Sequence, residues 1–551
     1  MTRSSEEVDS SQKSQNFPKC RQPNISDLKI AVIFCAALTF FYLSFSPSTI
    51  AFMGYMEENI TAADQLAGDL IHLARLEPLS KIEWTHHGCT ETILEAPFIL
   101  LSKFFFGESR IWMGRVLLLQ TILATSLLCT LILLWVRRLT GSRVWGYLLA
   151  LFAGVATMLW PYAYIGMETT QSLFLFGAAY LVLLRDKKGS WSEAAQLGLA
   201  CAVAVSAKMN GIFLLPAVGF LLLIYFTKTP TPESGLSKSN WPKYTFIIGL
   251  IVFSVILNRY TRNTYWAGQG GEENYLATII VDSPLTFVFN LFNYFGSANK
   301  SLFIFAPIVI LSFLGIRRAY KAQPAIVIWA LLTLSGLAGG FALMVVWSEE
   351  TWGPRYLHSA IAPLLLCFAA SVSGRPFRWQ RELPLLATVV LGVFISFLGV
   401  VFHYGCLYVA AKESSHSSLE AFQHDPRFNH LRFNLNMLRI WGRARLGLES
   451  KPELWPPEPF WWFARPADAP AIKQVDLRET AIPMPVLFRG WNAGSMSERS
   501  TYRVLRKACF GFLVLGLIGL WRVGRMAGNI EVIELSQFTA ETQSPQRKHR
   551  G

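Results

Sequence analysis

Charge is scarce where this 551-residue sequence is most apolar: Asp, Glu, Lys and Arg make up 16% of the chain against 52% hydrophobic residues, and the long apolar runs hold almost none of them. That imbalance excludes a soluble globular class. Ion- and proton-coupled carriers, which need ionisable groups or broken helices near mid-membrane, fit poorly for the same reason. Cysteine is sparse too. Of the eight, Cys35, Cys129, Cys201, Cys367 and Cys509 fall in apolar runs and Cys89 and Cys406 are expected outside. With no CxxC pair, neither a disulfide framework nor a thiolate metal site is expected. A cleavable-signal pattern is also missing: a polar stretch, 1–27, precedes the first apolar run, which is expected to act as an uncleaved anchor behind a disordered cytoplasmic tail.

What the chain does have is apolar blocks of spanning or near-spanning length. They run over 28–53, 111–136, 144–160, 169–184, 194–207, 212–226, 244–257, 301–316, 325–346, 356–373, 383–408 and 508–521. The pattern predicts an all-α polytopic membrane protein with roughly 12 transmembrane helices. The basic residues test the count, because loops on the cytoplasmic side carry the excess of Lys and Arg. Lys13 to Lys29, Arg137 to Arg143, Arg185 to Lys188, Lys228 to Lys243, Arg317 to Lys321, Arg375 to Arg381 and Arg522 to Lys548 all fall on one side. Both termini are therefore expected in the cytoplasm and the protein in the inner (plasma) membrane. The net charge of +14 reads as topology and phospholipid contact, with no nucleic-acid partner.

The spans divide the chain into a transmembrane domain over 28–410, an extracytoplasmic region over 411–507, a last helix over 508–527 and a cytoplasmic tail over 528–551. The first outer loop, 54–110, begins acidic and turns apolar over 93–106, a stretch too short to cross and suited to lying in the interface. The second, 258–300, carries the flexible acidic turn Gly268 to Glu273. The third, 411–507, is rich in Pro, Trp and Arg, including Trp455 to Trp462. Asn59-Ile60-Thr61 and Asn299-Lys300-Ser301 match the glycosylation sequon, a pattern common by chance.

Ionisable side chains stand at the outer ends of the spans: Glu168, Lys208, Arg355 and His403. Arg355 lies in Trp347 to Leu357, where Trp347, Trp352 and Tyr356 offer rings to the interface while the guanidinium receives an anion such as phosphate. Each has a plain structural alternative. Glu168 caps the helix that begins at Thr169, Lys208 snorkels, Lys300 anchors at the interface, Glu57 and Glu58 start a solvated acidic loop, and Asp64 and Asp69 lie on a polar helix face. His86 and His87 offer adjacent imidazoles to a substrate or a metal, but without a third ligand nearby they define no metal site.

The order of these features resembles the GT-C glycosyltransferases, the polytopic enzymes that include protein O-mannosyltransferases and lipid A aminoarabinose transferases. The likeness is carried by Tyr55-Met56-Glu57-Glu58 after the first span, Glu95-Ala96-Pro97-Phe98 through Phe106-Gly107-Glu108-Ser109 to Arg115, and Arg137 to Ser142. It continues through Gly166-Met167-Glu168-Thr169-Thr170, then Ser206 to Gly211 with Pro216, then Trp352 to Leu357 with Pro363. Gly296 to Ser301 with Phe303 to Pro307 adds to it. The resemblance covers most of residues 28–410.

It implies transfer of a sugar from a polyprenyl-phosphate carrier to a lipid, glycan or protein acceptor at the extracytoplasmic face. Glu57 or Glu58 takes the place of the family's first-loop acid, which usually contains Asp, and would accept the acceptor's proton; Glu168 takes that of a second acid. Lys208, Arg355, Tyr356, His86, His87 and Lys300 would meet substrate or phosphate. No tightly bound metal or other cofactor is expected, a divalent ion being left open. The alternatives are a lipid-linked glycan flippase, which needs a polar path through the membrane, and a glycan polymerase or ligase acting on a diphosphate-linked oligosaccharide.

Overall fold

The computed structural model describes residues 25–46, 54–74, 84–85, 88–164, 167–184, 190–228, 241–266, 280–345, 352–378, 380–402, 429–445, 454–455, 475–476 and 496–547. The described chain is all-helical apart from one antiparallel pair of two-residue strands, β1 (Leu454–Trp455) and β2 (Val475–Asp476). Long unbroken apolar runs leave the backbone no partner in lipid except itself, and the helix is the local solution.

The first half comprises α1 (Ile25–Ser44), α2 (Gly54–Ala74), α3 (Cys89–Phe106), α4 (Arg110–Thr140), α5 (Arg143–Val155), α6 (Leu159–Tyr162), α7 (Met167–Leu183), α8 (Trp191–Ser206), α9 (Leu215–Lys228) and α10 (Trp241–Trp266). The second half comprises α11 (Pro284–Gly296), α12 (Leu302–Phe305), α13 (Val309–Leu314), α14 (Ile316–Ala322), α15 (Pro324–Ala342), α16 (His358–Ser371), α17 (Leu383–Val401), α18 (His430–Arg445) and α19 (Met496–Arg547). Six stretches, Ile25–Ser44, Trp112–Thr140, Trp241–Thr264, Pro324–Ala342, Leu383–Val401 and Val504–Asn529, are long and apolar enough to cross a membrane. The protein is a multi-pass membrane protein.

Local signals set several boundaries. The Ser142 side chain accepts from Trp145 N to start α5, and Ser190 with Glu193 forms a capping box at α8. α16 is the centre of the bundle, buried at every residue. α10 and the 504–529 part of α19 lie at the rim, where most of their apolar surface faces outward, as lipid-facing helices do. α19 packs along α1, with Gly516 and Gly519 set against Ala37 and Phe41. On the cytoplasmic side expected from the charges, Asp27 of α1 is buried between Arg137 and Arg143, its Oδ1 3.0 Å from Arg143 Nε.

Some expected blocks fold differently. The block 301–316 is not one continuous helix: it breaks into α12 and α13 around Pro307, whose ring lacks the amide a continuous helix requires. The block 212–226 begins in the 3-10 turn Met209–Leu214 before α9. α10 continues past residue 257 to Trp266, so the start of the expected second outer loop is helical. α19 begins ahead of the expected block and extends to Arg547, well into the expected tail.

α3 has two unlike faces. Glu91, Thr92, Glu95 and Ser102 are buried, while Ile93, Leu101, Phe104, Phe105 and Phe106 are exposed. Trp112 stacks on Phe106 with ring centres 4.3 Å apart. Three consecutive exposed phenylalanines form an apolar patch, the kind of face an interfacial helix turns to lipid. Lys103 ties α3 to α2 through Asp64 at 2.5 Å.

Candidate functional site

Three helix ends meet beneath α3. Glu168 is in the first turn of α7, Lys208 lies just past the carboxyl end of α8, and Arg355 opens the 3-10 turn Arg355–Leu357 that leads into α16. A carboxylate at a helix amino terminus and an ammonium at a carboxyl terminus each complement the local dipole. Glu168 Oε1 accepts from Lys208 Nζ and, at 2.5 Å, from Arg355 Nε. All three residues are buried, and Glu168 Oε2 has no hydrogen-bond partner among the described residues. One carboxylate therefore balances one of the two cations, and the triad keeps a net positive charge.

A frame of aromatic and hydroxyl groups holds the triad. Tyr356 stacks on Phe341 with parallel rings 3.7 Å apart, and Lys208 Nζ lies 5.0 Å from the Tyr356 ring centre. The Tyr162 hydroxyl donates to Trp352 O at 2.7 Å, joining α6 to the turn that carries Arg355. Gly353 in that turn has φ +60°, and a Cβ there would stand 2.7 Å from the Phe305 ring, so only glycine fits. His358 is buried beside the triad with Nδ1 2.8 Å from Ser172 Oγ, and its Nε2 has no partner among the described residues.

The amino end of α3 is strapped over this cluster. The Thr90 hydroxyl donates to Ser206 at 3.0 Å, and the Cys89 amide to Thr261 Oγ1 at 3.0 Å. The Thr90 amide donates to Asn258 Oδ1 at 3.3 Å. Gly88 has φ +92°, and a Cβ there would lie 2.2 Å from Asn258 Oδ1. The strap delivers Glu91, which receives a hydrogen bond from Thr170 and lies in the field of Glu168 and Lys208. Burial, and after it the Glu168 carboxylate, push the Glu91 carboxyl up to about 8.

An apolar cavity of about 380 Å³ opens beside Lys208. Val205, Ile212, Phe213, Val255, Leu343 and Met344 form walls, and Arg259 and Arg262 of α10 add positive charge. Its apolar walls and cationic side chains suit a hydrocarbon tail with an anionic head.

Of the residues singled out in the sequence, Glu168, Lys208, Arg355 and Tyr356 come together here. Lys300 is wholly enclosed in the turn before α12, whose Ala298 carbonyl and Asn299 side chain receive the Asn429 amide; it is not an exposed interfacial anchor. Glu57 and Glu58 lie in α2, but their side chains, with His86, His87, His403 and Trp347, fall outside the described residues. Among the described residues no group of three or more His, Cys, Asp or Glu side chains is placed to hold a metal ion. Glu91 and His358 were not singled out from sequence. For Glu91 a signal existed: Glu91, Thr92 and Glu95 share one face of an otherwise apolar helix.

Residues 100–258 match the family model described as Dolichyl-phosphate-mannose-protein mannosyltransferase. No curated protein matches the chain. Among solved structures, ArnT from Cupriavidus metallidurans bound to undecaprenyl phosphate is 13% identical, with 91% of this chain and 76% of that chain covered at a TM-score of 0.40. The same protein in the apo state is 12% identical, with 92% and 77% covered at 0.41. The Archaeoglobus fulgidus oligosaccharyltransferase in complex with Zn and sulfate is 15% identical, with 67% and 53% covered at 0.37. The family match, which contains Glu168 and Lys208, bears out the resemblance to the GT-C membrane glycosyltransferases.

Proposed function

We propose that this chain is a membrane glycosyltransferase moving a sugar from a polyprenyl-phosphate-linked donor to a lipid, glycan or protein acceptor at the extracytoplasmic face of the inner membrane. The observation that carries the reading is the buried Glu168, Lys208 and Arg355 triad beside an apolar cavity with two further arginines. A net-positive cluster at the head of a hydrocarbon-sized groove selects an anionic lipid, and paired cations stabilise phosphate as it leaves.

The residues divide the work. With both cations on one oxygen, Glu168 is a weak base; it holds Lys208 and Arg355 in place and tempers their charge. Proton removal from the acceptor falls to Glu57 or Glu58 on α2, the helix packed along α3. Arg355 and Lys208 meet the phosphate, and Tyr356 fixes the ammonium from below. His358 donates or accepts at the floor of the site.

The test uses the full-length chain in lipid nanodiscs, a panel of undecaprenyl- and dolichyl-phosphate sugars carrying labelled mannose, glucose or galactose, and host membranes lacking the chain as acceptor. Label should move from the carrier with wild type. Arg355→Ala and Lys208→Ala should each weaken undecaprenyl phosphate binding about ten- to a hundredfold, the worth of one charged hydrogen bond. Translocation of the carrier with its sugar still attached would overturn the transferase reading in favour of a flippase.

A further inference from the structure

We propose that Glu91 is the acid of the reaction, a carboxyl group that hands its proton to the lipid phosphate as the sugar departs. The inference rests on the transferase reading above. Glu91 is 2% exposed, and its Oε2 has no hydrogen-bond partner among the described residues. The turn that bears it is bonded to the cavity wall: Thr90 meets Ser206 and Asn258, which line the cavity together with Lys208, and a phosphate seated at Lys208 would lie in the same field. An ionised carboxylate there would repel both the phosphate and Glu168. The neutral acid instead offers a donor, and Thr170 already serves as donor to the group.

The surroundings favour that acid form. Of the helices packed on α3, α2 carries Glu57, Glu58, His72, Asp69, which is buried, and Asp64, which is paired with Lys103; α4 carries Arg115, α10 carries Arg259 and Arg262, and α3 itself adds the buried Glu95. Among the described residues, Glu168 and Lys208 act on Glu91, the former outweighing the latter. The strap at Gly88, Thr90 and Asn258 fixes the helix turn that bears it.

The step balances. The bond from the anomeric carbon to the phosphate oxygen breaks, its electron pair passing to that oxygen, and the acceptor oxygen forms the new bond to the anomeric carbon. The acceptor's hydroxyl proton goes to the first-loop carboxylate, Glu57 or Glu58, and the Glu91 proton goes to the phosphate oxygen. Exchange with water then reprotonates Glu91 and deprotonates the first-loop acid. The net result is one proton moved from acceptor hydroxyl to lipid phosphate.

Wild type, Glu91→Gln and Glu91→Asp are compared in nanodiscs. Undecaprenyl phosphate is the binding probe, and turnover is followed on the active carrier of the panel from about pH 6 to about pH 10. Wild-type turnover should fall as pH rises through about 8, since the acid form is lost there. Glu91→Gln should turn over about a hundredfold more slowly, with that fall abolished and probe binding retained. Glu91→Asp should restore a pH-dependent rate. Wild-type turnover in Glu91→Gln, persistence of its pH-dependent fall, or loss of probe binding in step with turnover would each overturn the assignment. If wild type transfers no sugar from any carrier, the transferase reading itself fails, an outcome distinct from active wild type with an equally active Glu91→Gln.

Discussion

At Glu168 a single carboxylate oxygen holds two buried cations, so the residue governs stability as well as function. Glu168→Gln removes the carboxylate that Lys208 and Arg355 share, and the expected loss is about 3–5 kcal/mol. Thermal unfolding in detergent measures it, and the double variant Glu168→Gln/Arg355→Gln should recover part of the loss. Glu91 behaves in the opposite sense. Its carboxyl is raised from an ordinary 4.5 to about 8, so the folded state prefers the protonated form. The stability linked to that proton is fully present below about 4.5 and is lost as pH rises through about 8. Glu91→Gln should therefore melt at a higher temperature than wild type above that pH, whatever the substrate. Arg355, Lys208 and Glu168 were legible in the sequence because charges at the ends of apolar runs are few enough to name. For Glu91 the sequence offered only the polar face it shares with Thr92 and Glu95; its partners Thr170, Glu168 and Lys208 reach it through the fold.

Among elements, α3 shows how far a one-dimensional pattern carries. Its apolar length and its place between two hydrophilic stretches pointed to a helix at the interface; the structure shows the helix and its two unlike faces. The phenylalanines set one, and the acids set the other. Gly88→Ala tests the strap at its start. The positive φ and the approach to Asn258 are both intolerant of a side chain, and a cost of about 1–3 kcal/mol is expected, read as a fall in melting temperature together with lost turnover. Replacing Phe104, Phe105 and Phe106 by Ser should leave the triad intact but release α3 from the interface, raising its hydrogen exchange in nanodiscs. The break between α12 and α13 was foreshadowed by Pro307 and overlooked because the surrounding block is apolar enough to pass as one span.

Across the whole molecule, helical class and membrane setting followed from long unbroken apolar runs, which suit spanning helices and not the alternating strands of a closed barrel. Which helices touch did not follow, since lipid-facing and partner-facing surfaces are equally apolar. α1 against α19 is the clearest case: Cys509 Sγ lies 3.8 Å from Leu43 O across a separation of 466 residues. The close approach at Gly516 gives a further prediction. Gly516→Leu, which adds a side chain where a Cβ already meets Phe41 N at 2.7 Å, should lower the melting temperature while leaving undecaprenyl phosphate binding unchanged.

That clasp also imposes a timetable. A ribosome delivers α1 to the membrane long before α19 exists, so the face of α1 that α19 will cover waits unmatched through nearly the whole of synthesis. Until α19 arrives, that face of α1 lies open to other membrane chains and to quality-control proteases.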